Sequence, residues 1–154
     1  MSLFSHPWVW TDEQGQSVTF ARWRGQPLVV SAMFTTCKAT CPRTVAKLQE
    51  LDGRFRRQGQ PVQFLIVTLD PSNDTPEVLR AFKKSSGLPT EWRFLVGEKQ
   101  QTRELIEALD IHVIDDGPHL LHDGRIVMFD GRGLPTRTFG GWGLDHETQL
   151  AGGG

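Results

Sequence analysis

The chain has 154 residues, a formal net charge of −1 and two cysteines. This length predicts one domain that buries about 68–70% of its unfolded surface without a disulfide. The near-neutral charge gives no support to a nucleic-acid partner, and no apolar run reaches the length of a membrane span.

The first residues lack the basic and apolar regions of a secretion signal. Because Met1–Leu3 resembles an expression leader, a native signal or membrane anchor that preceded it stays possible. We expect the tail at residues 151–154 to be disordered.

The first half of the chain predicts a hairpin followed by a strand–helix–strand unit. Apolar residues at 8–10 and 18–20 flank a polar turn, as in a β-hairpin. The apolar run at 28–34 predicts a buried strand, the spacing of apolar residues at 42–57 a helix, and the run at 62–69 a second strand. A βαβ unit of this kind has parallel strands and a right-handed crossover.

The second half alternates helices and strands. We predict a helix that starts at Asp74–Glu77, a short strand at 92–96, a helix at 98–109, a strand at 125–129 and its partner at 134–139. Asp130–Gly133 is typical of a hairpin turn, residues 117–124 are interpreted as a loop, and residues 145–150 as a short helix. This order predicts an α/β thioredoxin-like fold: one domain over residues 1–154, with a central mixed sheet flanked by helices and an N-terminal β-hairpin.

Both cysteines, Cys37 and Cys41, fall on the turn between the first strand and its helix. Backbone N–H groups and the dipole at a helix N-terminus stabilise a thiolate. A thiolate binds metals and attacks disulfides or peroxide, so the pair is a candidate redox and metal site. The alternative is that both are small apolar core residues.

Two more residues are predicted to lie at the same end of the sheet. Asp70 follows the second parallel strand, and residues beyond the carboxyl ends of parallel strands gather at one end. A carboxylate that caps its own loop is the alternative for Asp70. The strand at 125–129 should run antiparallel to the cysteine strand, so His122, just before it, is the preferred third ligand. His119 competes for the same place.

Several segments resemble the Sco (SenC) family. Cys37–Pro42 is similar to that family's Cys-x-x-x-Cys-Pro segment, Asp70–Glu77 resembles its Asp-Pro…Asp-Thr-Pro-Glu segment, and His122 has the matching spacing to Gly133. The resemblance extends over about residues 8–150. This chain departs from the family in having Leu121 before the histidine and Asp123 after it.

The resemblance implies a copper-binding protein that works in cytochrome c oxidase assembly. Its ligands for Cu(I) or Cu(II) would be Cys37, Cys41 and His122, with Asp70 in a supporting position. It would deliver copper to, or reduce the cysteines of, the dinuclear copper site in subunit II of the oxidase. It also implies a periplasmic or membrane-tethered protein on the oxidising side of a membrane.

Two other classes of protein stay open. A thiol–disulfide oxidoreductase or thiol peroxidase would use Cys37 to attack and Cys41 to resolve, with no role for copper. A redox or copper sensor would use the same residues to signal to a partner.

Overall fold

The computed structural model describes residues 2–35, 41–111, 113–116, 119–122, 124–140 and 147–149. For 41–42, 113–116, 119–122 and 147–149 it describes the backbone alone. Over these residues the regular elements, in chain order, are β1 (Trp10–Asp12), β2 (Ser17–Val18), β3 (Leu28–Met33), α1 (Cys41–Arg57), β4 (Gln63–Thr68), α2 (Pro76–Ser85), β5 (Arg93–Val96), α3 (Lys99–Ala108), β6 (Val113–Asp116), β7 (His119–His122), β8 (Ile126–Phe129), β9 (Pro135–Phe139) and β10 (Glu147–Gln149).

The described strands form one mixed sheet and a separate two-stranded ribbon. The sheet has the order β10-β9-β8-β3-β4-β5-β1-β2, and the ribbon pairs β6 with β7. β3, β4 and β5 are parallel, whereas β8 runs antiparallel to β3. The predicted βαβ unit and the antiparallel strand at 125–129 are therefore confirmed.

β3 lies in the interior of the sheet, between β8 and β4, and all six of its residues are buried. Successive side chains of a strand point to opposite faces. Leu28, Val30 and Ala32 pack into one apolar cluster, which contains Leu105 of α3 and the N-terminal aromatic residues. Val29 and Met33 belong to the cluster on the other face, together with residues of α1 and α2. A strand that is apolar on both faces thus requires helices on both sides.

The N-terminal hairpin forms as predicted, with β1 shifted to residues 10–12 and β2 shortened to two residues. Trp10 is paired with Val18, and the Asp12 carboxylate accepts the backbone N–H groups of Gln14 and Gln16, both at 2.9 Å. Gly15 has φ +81°, a conformation that glycine adopts without strain. The hairpin joins the sheet through β1, which pairs with β5.

Two predictions for the C-terminal half were wrong. Residues 147–149 form a strand in place of the predicted helix, because they pair with β9 from Glu147 opposite Phe139 to Gln149 opposite Arg137. The interval that was interpreted as a loop contains β7, which is paired with β6. The rest of the interval, the predicted tail and Met1 lie outside the described residues.

Leu3 is part of the fold. Its side chain is buried, its N–H donates to the carbonyl of Gly133 at 2.8 Å, and Ser2 Oγ donates to the carbonyl of Arg132 at 2.6 Å. That Met1–Leu3 is a leader stays a prediction.

Candidate metal and thiol site

The candidate site lies at the end of the sheet where β3 and β4 terminate. Met33 pairs with Thr68 in parallel register, and the N–H of Leu69 donates to the carbonyl of Met33 at 2.8 Å. The chain therefore leaves both strands at the same level, towards the cysteines after β3 and towards Asp70 after β4. We call this end of the sheet the cysteine rim.

The two cysteines follow β3 by a short connection. Cys37 lies outside the described residues, and Cys41 is described by its backbone as the first residue of α1. The helix thus begins one residue earlier than predicted. The first N–H groups of an α-helix have no partner within the helix, so this is a position where a thiolate is favoured.

β8 brings the chain that follows the histidines to the cysteine rim. Ile126 is paired with Ser31, near the carboxyl end of β3. In the β6–β7 ribbon His122 pairs with Val113 and His119 with Asp116. His122 is therefore at the end of the ribbon that leads into β8, and His119 is at the other end. The side chains of both histidines lie outside the described part of the structure.

Asp70 lies at the cysteine rim, as the sequence predicted, and its side chain is half-buried. Its two carboxylate oxygens accept hydrogen bonds from Asn73 Nδ2, at 3.1 and 2.9 Å. Its own N–H donates to Thr68 Oγ1 at 3.0 Å. Within the described residues Asp70 is thus a loop carboxylate held by its neighbour, and its role towards a metal stays a prediction.

Asp74, four residues further on, was predicted at a helix start and was not among the predicted site residues. This side chain is only 1% exposed. Its carboxylate accepts hydrogen bonds from Thr35, which follows β3, and from Thr68, the last residue of β4. The acidic residue before the predicted N-cap was a possible signal, but its partner Thr35 is distant in sequence, so the contact needed the fold.

A metal cluster cannot be assembled from the side chains that the structure describes. Among them there is no group of three or more histidine, cysteine, aspartate or glutamate residues that could hold a metal ion. Cys37, Cys41 and His122 stand outside that set, so the predicted ligand set stays a prediction. In the same described part of the chain, no helix is both long and apolar enough to cross a membrane.

The strand order, the helices on both faces and a cysteine at the start of α1 define an α/β protein of the thioredoxin-like class. The model of the SCO1/SenC family matches residues 1–151. The chain belongs to the SCO1/SenC family.

Solved structures of the family have the same fold at low sequence identity. BsSco, described as a member of the Sco family of cytochrome c oxidase assembly proteins with a disulfide switch, is 20% identical, with a TM-score of 0.79 over 96% of this chain and 87% of that one. Copper-bound ScoI from Arabidopsis thaliana is 17% identical, with a TM-score of 0.77 over 89% and 87% of the two chains. A SCO1/SenC family lipoprotein from Bacillus anthracis is 23% identical, with a TM-score of 0.77 over 86% and 81%.

A curated relative from Bacillus subtilis is longer than this chain. This SCO1 protein homolog is 26% identical over 99 residues, which are 64% of the chain but 51% of the relative. The chain thus spans about half the length of that relative.

Proposed function

We propose that the protein binds copper through the thiolates of Cys37 and Cys41 and the imidazole of His122, with copper as its cargo. Two thiolates are soft ligands that suit Cu(I), and an imidazole adds a ligand that suits Cu(II). The observation that carries the proposal is that β8 starts opposite Ser31, near the end of β3 from which the chain continues to Cys41 at the start of α1. Copper bound to ScoI, a protein of the same fold, also supports it.

The client would be the dinuclear copper site in subunit II of cytochrome c oxidase. Support for this client comes from BsSco, which is named as a member of a family of oxidase assembly proteins. The lipoprotein from Bacillus anthracis supports a membrane-tethered protein, and we propose that it works on the oxidising side of the membrane. In that compartment the client cysteines are exposed to oxidation, and only their reduced form accepts copper.

The same two cysteines would also serve as a reductant of the client. Cys37 and Cys41 give up two protons and two electrons as one S–S bond forms between them, and the client disulfide takes them up and becomes two thiols. Closing the disulfide removes both thiolates from the metal. Copper release and thiol exchange are therefore coupled in one site.

Titration of the reduced protein with Cu(I) and Cu(II) tests the proposal. Cys37→Ala and Cys41→Ala should each abolish tight binding, because a single thiolate cannot hold Cu(I) against solution thiols. His122→Ala should strongly weaken Cu(II) binding and change the thiolate charge-transfer absorption, while weaker Cu(I) binding remains.

His119→Ala is the matched control, because it removes an imidazole from the other end of β7. We expect it to leave both affinities near those of the wild type. Equal Cu(II) spectra for the wild type and His122→Ala would contradict the ligand assignment. If the correctly folded wild-type protein takes up no copper, the alternative function of a thiol–disulfide oxidoreductase is favoured.

A further inference from the structure

The buried carboxylate of Asp74 connects the chain on both sides of the cysteine rim. Its Oδ2 accepts the backbone N–H of Thr35 at 3.0 Å and the hydroxyl of Thr68 at 2.7 Å. Its Oδ1 accepts the hydroxyl of Thr35 at 2.5 Å. The Asp74 side chain thus connects Thr35, which follows β3 and Phe34, to Thr68, the last residue of β4. We call Asp74 and these two threonines the Asp74 clamp.

The Asp74 clamp is followed directly by the start of α2. Thr75, the next residue, is the N-cap, and its side chain accepts the N–H of Val78. On the other side, the N–H of Asp74 donates to the backbone carbonyl of Asp70 at 2.9 Å. The backbone of Asp74 is therefore fixed on both sides, by the turn from Asp70 and by the start of α2.

Hydrogen-bond donors, in place of a cation, compensate the buried charge. Within the described part of the chain, Asp74 forms no ion pair and three donors converge on its two oxygens. Burial of a carboxylate is costly unless such donors satisfy it. Two of the three donors belong to Thr35, so the network fixes the residue from which the chain continues to Cys37.

We infer that Asp74 is the positioning residue of the thiol and metal site, acting through Thr35; the inference rests on the proposed function. Thr35 is two residues before Cys37. Fixing both its N–H and its hydroxyl removes conformational freedom at the start of the turn. A turn ordered in advance binds a ligand with a smaller loss of entropy, and it brings two thiols together more readily.

Asp70 has a different position. Its carboxylate accepts hydrogen bonds from Asn73, whereas the carboxylate that Thr35 binds is that of Asp74. Of the two aspartates that follow β4, Asp74 is therefore the one that is hydrogen-bonded to the chain after β3.

Variants of both ends of the clamp test the inference in two measurements. The first is Cu(II) affinity with its visible absorption. The second needs no metal: equilibration with oxidised glutathione, in which the protein dithiol and one glutathione disulfide give the protein disulfide and two glutathione thiols. Asp74→Ala should weaken Cu(II) binding about tenfold and shift the glutathione equilibrium about tenfold away from the protein disulfide. Thr35→Val should change both quantities by about threefold.

Conservative variants should retain most of the function of the site. Thr35→Ser keeps the hydroxyl and should behave as the wild type, and Asp74→Asn keeps an acceptor and should lie between the wild type and Asp74→Ala. The double variant Asp74→Ala/Thr35→Val should be no worse than Asp74→Ala, because both changes break one network.

Glu13→Gln is the matched control, since it alters another buried carboxylate, which lies beside β5 and away from Thr35. It should lower stability and leave both measurements unchanged. Variants of the clamp that lower stability in the same way, with unchanged copper affinity and disulfide equilibrium, would overturn the inference. A wild type that binds no copper refutes the proposed function, while a shifted disulfide equilibrium still supports the role of Asp74.

Discussion

Glu13 is a fully buried carboxylate that lies beside β5. Its Oε1 lies 3.3 Å from Lys83 Nζ and 3.6 Å from an Arg93 guanidinium nitrogen, and it accepts the N–H of Phe94 at 3.2 Å. Lys83 also donates to the carbonyls of Thr90 and Trp92. The ammonium group thus neutralises Glu13 and satisfies two carbonyls of the segment just before β5.

Lys83→Met should reduce the free energy of unfolding by about 3 kcal/mol, because Arg93 is then the one cation beside the buried carboxylate among the residues that the structure describes. Urea unfolding at neutral pH measures the loss. Adding Glu13→Gln should recover part of it, since the uncompensated charge disappears. Two single variants whose effects simply add in the double variant would contradict a paired role.

At the scale of one helix, Gly53 is the weak position of α1. A Cβ there would meet only the terminal nitrogen of Arg57 at 3.3 Å, and that long side chain can move. We expect Gly53→Ala to raise the free energy of unfolding by about 0.5–1 kcal/mol, because glycine has more backbone freedom to lose in a helix. Thermal or urea unfolding checks the increase.

Gly131 gives the opposite case for comparison. Its Cβ would approach the backbone of Gly25 to 2.9 Å, where the N–H of Gly25 already donates to the carbonyl of Gly131 at 2.8 Å. Gly131→Ala should therefore destabilise the protein. If both alanine variants moved stability in the same direction, local space around each glycine would not be the deciding factor.

The turn between β8 and β9 depends on the charge of Asp130. Burial, the largest single influence, raises the pKa of this carboxyl, but the backbone N–H groups of Leu134 and Arg132 and the Arg132 guanidinium together lower it below its usual value. The native state thus favours the ionised form. Its contribution to stability is present above the unfolded pKa and is lost as the pH falls through the lower native pKa.

Asp130→Asn should therefore flatten the pH dependence of unfolding from about pH 5 to about pH 2. At neutral pH we expect a loss of about 0.5–1 kcal/mol, because an amide oxygen still accepts a backbone N–H in a partly solvated turn. Urea midpoints of both proteins over this range give the comparison. Parallel curves would show that another group carries the acid sensitivity.

For the molecule as a whole, the sequence predicted the elements whose signals are local. The apolar run of β3, the spacing in α1 and the Thr75-Pro76 start of α2 each gave the right type and nearly the right bounds. The position of Asp70 at the end of β4 also followed, because parallel strands deliver their following residues to one end of a sheet. These features depend on residues that are close along the chain.

The features that sequence analysis missed depend on distant partners. β10 is a strand because Thr148 and its neighbours pair with β9, and β7 exists through its pairing with β6. Neither segment has the alternation of a half-buried strand, so tertiary pairing overrides local preference. Asp74 was missed for the same reason, since Thr35 lies 39 positions earlier.

The order of strands in the described sheet places a two-residue strand, β2, at one margin and a three-residue strand, β10, at the other. An exposed margin with unpaired N–H and C=O groups is a template on which another chain can add a strand, and short marginal strands limit that risk. The long, apolar β3 and β4 lie inside, covered on both sides by neighbours. The arrangement therefore protects the protein from self-association while its cysteine rim stays at the ends of the strands.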